Sequence, residues 1–154
     1  ADRGRTVLFS GSGANNDLWE YSGNSVYMTA DVTTIPIAAG GTQTLTLDAG
    51  PSHANKPYWI FGSITGTSPG VALNGIHIPL NVDVYTQLAM QNVMANPPYS
   101  GFRAVLDASG GATAQFILPS QMLNVGFTLH HSYVVFDGMG VFYGASNPVK
   151  ITFQ

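Results

Sequence analysis

The chain has 154 residues, no cysteine and a formal net charge of −3, from five basic and eight acidic side chains. That length suits one ordinary domain with its own core, with room for a small appendage. The missing cysteine excludes disulfides, thiolate–metal sites and thiol catalysis. The lack of a basic field argues against nucleic acid, and no apolar run approaches the roughly 18 residues of a membrane span.

In chain order, residues 1–27 hold two short apolar runs, Thr6 to Phe9 and Leu18 to Tyr21, separated by a Gly/Asn-rich connection; that pattern predicts a hairpin. From Met28 onward Thr-rich alternation takes over. Val32 to Ile37 is an expected strand, which Pro36 confines to an edge or a bulge. In Gln43 to Asp48, Leu45 and Leu47 share one face and Thr44 and Thr46 the other, the signature of a half-buried strand.

Tyr58 to Leu80 is the stretch around which the rest is organised. Tyr58-Trp59-Ile60-Phe61 is apolar on every residue, so both faces of that strand are expected to be covered. Gly66 to Gly70 then turns, and Ile76 to Leu80 returns. Val84 to Met94 reads either as a short helix, with Val84, Leu88, Gln91 and Val93 or Met94 in one stripe, or as an irregular strand. Phe102 to Leu106 and Ala112 to Leu118, around Asp107-Ala108-Ser109-Gly110-Gly111, predict a hairpin. Gly126 to Asp137, Gly140 to Tyr143 and Val149 to Phe153 complete the strands. About eight to ten short strands and at most one short helix define an all-β, antiparallel β-sandwich, for which a jelly-roll is one available topology.

Two stretches carry resemblances. Arg5-Thr6-Val7-Leu8-Phe9 with Asp17-Leu18-Trp19-Glu20-Tyr21 resembles half a blade of a kelch-type propeller. About four to eight full blades are needed to close such a ring and the pattern does not recur, so only a β-hairpin appendage over 1–27 is implied. That hairpin is either the tail of a longer propeller-bearing chain or a reused element. Residues 28–154 resemble a β-rich C-terminal module of large secreted bacterial proteins. The matching segments include Ala38 to Gly50, Gly62 to Gly70, Leu80 to Asp83, Leu106 to Gly110, Leu129 to Val135 and Ala145 to Val149. The resemblance implies secreted or cell-surface placement and an accessory role, not a reaction. Only 8 % of residues are charged, against roughly a quarter in an average soluble domain, which also suits an exported β-protein. The chain opens on Ala1 with no basic, apolar leader, as expected of a mature or excised chain and equally of an arbitrary boundary.

Candidate chemistry is sparse. His130 and His131 are adjacent on a strand, so their side chains point to opposite faces and one ion cannot easily take both. His131 shares an apolar face with Phe127, Leu129, Tyr133 and Val135 and is expected in the core, which leaves His130 as a binding candidate. Ser63, Ser68 and Ser109 lack a Gly-x-Ser-x-Gly setting. Glu20, Asp83, Asp107 and Asp137 are the carboxylates a hydrolase would have to bring together; Asp48, Asp83, Asp107 and Asp137, each at a strand end, read as turn caps. Calcium is the one cofactor considered, at Asn81 with Asp83 or at Asp107. Among aromatics, Trp59 is expected in the core. Trp19, Tyr21 and above all Tyr99, which follows Pro97-Pro98, are candidate platforms for sugar rings.

These readings converge on a non-catalytic extracellular module. Its partners would be other protein chains, copies of itself or cell-surface glycans. A glycan-binding accessory domain and a polysaccharide hydrolase are the alternatives.

Overall fold

The structure, a computed structural model, describes residues 26–91, 98–122 and 126–154. Nearly all of the kelch-like stretch, with Trp19, Glu20 and Tyr21, lies outside them. Two sheets pack face to face. The first, in spatial order, is β1 (Tyr27–Ala30), β3 (Gly41–Asp48), β9 (Gly111–Leu118) and β7 (Tyr99–Ser100). The second is β2 (Thr34–Ile35), β12 (Val149–Phe153), β10 (Thr128–Phe136), β4 (Pro57–Ser63) and β8 (Arg103–Val105), with β11 (Phe142–Ala145) also on β10. The sandwich is all-β as expected, and its pairings are antiparallel except β2 with β12, which is parallel. Val26 is buried and Tyr27 opens β1, so a boundary drawn after Tyr27 cuts into the first strand.

Alternation builds the core. Leu45 and Leu47 of β3 face Tyr58 and Ile60 of β4 and Leu129, Tyr133 and Val135 of β10, all buried. β4 is covered on both sides. Its other face puts Trp59 and Phe61 into a second apolar layer with Val134, Leu80 and Ile78. That layer is roofed by a hairpin of β5 (Val71–Leu73) and β6 (Ile76–Ile78) and by one helix, α1 (Val84–Met90). Tyr58 to Leu80 is therefore the hub: the strand shared by both cores, then the cover of the second.

One expected hairpin does not form. The runs on either side of Asp107 to Gly111 belong to different sheets, with β8 on β4 and β9 on β3 and β7. The N–H of Leu106 already donates to the Lys56 carbonyl (2.9 Å), drawing that arm to the second sheet. Asp107 still closes the turn: its Oδ1 accepts from the N–H groups of Ser109 (2.7 Å) and Gly111 (2.9 Å). The Asp137 turn is the same device, Oδ1 accepting from Met139 and Val141, again with a positive-φ glycine at the fourth position. Gly110 must be glycine on a second ground, since a Cβ there would run into the Gly50 backbone.

The sheet margins are closed individually. Pro36 follows β2 at its edge, as expected, and withholds a donor there. At β1, the Asn147 side chain accepts from the Met28 N–H and donates to the Met28 carbonyl, both at 2.9 Å, as a neighbouring strand would. Between β11 and β12 the chain leaves the ladder. Ser146 bridges that break, its Oγ accepting from the Tyr133 N–H (3.0 Å) and its N–H donating to the Tyr133 carbonyl (2.9 Å).

Candidate functional site

β3, β4, β9 and β10 give the sandwich two ends. At one lie the turns around Gly50, Asp107 and Asp137; at the other, α1 packs beside the exit of β4. The α1 end starts from Asp83. Burial raises the pKa of this carboxyl, but hydrogen bonds from Ser63, Thr65 and Thr86 outweigh that and hold it at about 2. Its Oδ2 accepts from the Ser63 hydroxyl (2.7 Å), the Ile64 N–H (2.8 Å) and both the N–H and the hydroxyl of Thr65 (3.0 and 2.9 Å). Its Oδ1 caps α1 by accepting from the Tyr85 and Thr86 N–H groups, and the Thr86 hydroxyl oxygen in turn accepts from the Asp83 N–H, a complete capping box. Asp83 thus fixes the orientation of α1 on β4.

So oriented, α1 buries Tyr85, Thr86 and Ala89. Tyr85 enters the main core, where its hydroxyl lies 3.0 Å from Nε2 of His131. His131 is fully buried among Phe102, Phe116 and Tyr85, as its apolar face foretold. Burial, helped by the adjacent His130, pushes its pKa down to about 3, so the imidazole is neutral. Nδ1 of His131 has no hydrogen-bond partner. Burial likewise raises the Tyr85 pKa well above its ordinary value.

The described part of the stripe read from the sequence, Val84, Leu88 and Gln91, faces solvent; Val93 and Met94 lie outside the described residues. Val84 is 61 % exposed and Leu88 43 %; Met90, on another side of the helix, is 56 % exposed. Ile64, Val82, Met122 and Phe127 are exposed as well. Two apolar clefts open beside the helix. One, of about 220 Å³, lies where the sheets part and is lined by Tyr85, Leu88, Tyr99, Phe116, Leu118 and Phe127 among others. The second, of about 230 Å³, lies under the β5–β6 hairpin between Phe61, Val71, Leu73, Ile78 and Met90. Among the described residues no charged side chain lines either. Both fall below the roughly 300–1,000 Å³ typical of metabolite sites and suit single inserted side chains.

The other candidate residues are dispersed. Tyr99 is half-buried rather than a free platform, its ring 5.0 Å from Phe102 and 5.5 Å from Phe116. Its proximity to Pro98 suggested a loop, but β9 pairs with it and draws it against the core. His130 is half-buried on the outer face of β10, and its pKa is lowered by burial and by Lys150. The Ser63 hydroxyl is buried and given to Asp83, and that of Ser109 is given to Asp107. Of the two calcium readings, Asn81 and Asp83 both bond the backbone of Thr65, with Asn81 also on Gly70, and Asp107 accepts from its own turn. Among the described residues no three His, Asp or Glu side chains gather as metal ligands. Gln43 was not singled out in the sequence, yet it is fully buried and ties the sheets, its Nε2 donating to the carbonyls of Val32 (2.7 Å) and Lys150 (3.1 Å). A Gln inside a Thr/Leu alternation was its only signal.

Fold and site together define a β-sandwich module with an apolar, uncharged pair of clefts beside an exposed apolar helix. No protein-family model matches the chain, and no curated protein matches it. Among solved structures it is similar to the crystal structure of the E. coli chaperone DraB, with 10 % sequence identity and a TM-score of 0.40. The likeness covers 84 % of this chain and 53 % of that one, so the chain spans about half the length of the structure it matches.

Proposed function

We propose that the chain is a non-catalytic structural or interaction module of an extracellular protein, working through the α1 end and able to associate with copies of itself. The observation that carries this reading is the exposure of Val84 and Leu88 on one side of α1 and of Met90 on another, each at the mouth of an apolar cleft. A seven-residue helix gains little from its own hydrogen bonds, so apolar residues on its outer side add no stability to the monomer. Exposed apolar side chains rimming apolar clefts mark contact sites. The uncharged lining of the clefts places no like charges together when two copies meet. Extracellular placement rests on the resemblance of residues 28–154 to secreted bacterial modules and on the charge-poor composition.

The alternatives find less support. Glycan stacking asks for an open aromatic face, and that of Tyr99 is shared with Phe102 and Phe116. A hydrolase asks for converging carboxylates, whereas Asp83 lies at one end and Asp107 and Asp137 at the other, each holding its own turn. Sedimentation velocity over a wide concentration range tests the proposal. Concentration-dependent association that Leu88→Asp abolishes, with the circular dichroism spectrum retained, is the expected result. A strict monomer at high concentration removes self-association from the reading.

A further inference from the structure

We infer that Asn74 is a site of spontaneous covalent modification, converting through a cyclic imide to aspartate and isoaspartate, and that conversion loosens the cover of the second core. Asn74-Gly75 is the only Asn-Gly pair in the sequence. It forms the two-residue tip of the β5–β6 hairpin, between the paired residues Leu73 and Ile76. Both tip residues have positive φ, 50° and 80°, as a type I′ turn demands. Both are exposed, and nothing lies within 4 Å of where a Gly75 Cβ would stand. Gly75 lies at the tip beyond the last paired residues, and it has no Cβ to hinder the approach of its nitrogen to the neighbouring side chain.

The chemistry needs only water. The Gly75 backbone nitrogen attacks Cγ of Asn74, forming a new C–N bond. The side-chain amide takes up the proton released from that nitrogen and leaves as ammonia. Water then opens the imide at one of its two carbonyls. One opening gives aspartate; the other gives isoaspartate, whose main chain runs through the former side chain and is one methylene longer. One water enters and one ammonia departs, without oxidation or reduction.

Each product disturbs the same contact. The Asn74 amide nitrogen reaches the carbonyl of Gly140, in the Asp137 turn, at 3.5 Å, tying the hairpin tip to the body of the sandwich. Aspartate replaces that donor with a negative charge facing a carbonyl oxygen. Isoaspartate also lengthens a turn whose two residues set the register of the strands on either side. Val71 and Ile78, the inward residues of this hairpin, roof the 230 Å³ cleft. Modification at the tip thereby opens that cleft over time.

The test is to age the purified chain in warm, mildly alkaline buffer. Peptide mass spectrometry and isoaspartyl methyltransferase labelling then follow conversion, with hydrogen exchange read over Val71 to Ile78. Asn74 is expected to convert many-fold faster than Asn55, which is also exposed with positive φ but precedes Lys56. Conversion is expected to slow many-fold in Gly75→Ala and to be lost in Asn74→Gly, which keeps the turn geometry should the alanine strain it. Hairpin exchange is expected to rise in step with conversion, and partway in Asn74→Asp. Conversion of Asn74 no faster than Asn55, or conversion that leaves hairpin exchange unchanged, overturns the inference.

Discussion

The hydroxyl of Tyr85, carried on α1, meets Nε2 of His131, at the centre of β10, at 3.0 Å inside the main core. One hydrogen bond thus joins the helix that presents the apolar stripe to the strand that holds the second sheet together. It also sets a pH dependence. The folded-state pKa of His131 lies near 3 and its ordinary value is 6.5. Between those values the unfolded chain binds a proton that the folded chain does not. Stability from this site is therefore complete above about pH 6.5 and is lost progressively as the pH falls towards 3, by an amount on the order of a few kcal/mol. Urea titrations at a series of pH values should show this decline, and His131→Phe should flatten it.

Gly62 makes room for the same contact. A Cβ at that position would strike the Tyr85 ring and stand 3.0 Å from Cδ2 of His131. Gly62→Ala should cost about 1–3 kcal/mol through overpacking. Because the obstruction falls on Tyr85, α1 should also loosen, and hydrogen exchange of its amides should rise beyond that of β3.

Asn147 is expected to matter out of proportion to its polarity. It supplies both partners for the backbone of the buried Met28, 119 residues away in sequence. Asn147→Ala leaves a buried donor and acceptor unpaired, at about 1–3 kcal/mol each. Asn147→Asp keeps the acceptor and loses the donor, so its denaturation midpoint should fall between those of Asn147→Ala and the parent chain.

Asp83 titrates in a lower window than His131. Its pKa is depressed from 3.8 to about 2. Its contribution is thus present above about pH 3.8 and is lost as the pH falls through 2. Asp83→Ala removes the cap of α1 at a cost of about 0.5–2 kcal/mol and releases Ile64 and Thr65. The acid limb of the stability curve between pH 3.8 and 2 should shrink in that variant, while the decline assigned to His131 persists.

Local pattern carried much of the fold. The alternation of Leu45 and Leu47, the apolarity of Tyr58, Ile60 and Phe61 and the face of Leu129, His131, Tyr133 and Val135 named side chains found buried. Phe127 on that face is instead 38 % exposed, and Trp59 is half-buried. Asp107 is the instructive failure. An Asp/Ser/Gly turn between two alternating runs looks the same whether the arms pair with each other or part to different sheets. That choice belongs to Lys56 and β3, far away in sequence, which offer the competing hydrogen bonds. Tyr99 went the same way, for the pairing with β9 outweighs the loop character that Pro97 and Pro98 lend it.

By itself the sequence determined the class of object: a charge-poor, cysteine-free β-sandwich with one hub strand and one stretch, Val84 to Met94, that reads as a short helix or an irregular strand. Periodicity and turn chemistry are properties of neighbours in the chain, so they can be read without a third dimension. Only the tertiary structure decided which way the α1 stripe faces. A run such as Val84 to Met90 is apolar on nearly every side, and its pattern cannot say which side will be covered. Asp83, pinned to Ser63 and Thr65, sets the rotation that buries Tyr85 and leaves Val84 and Leu88 in water.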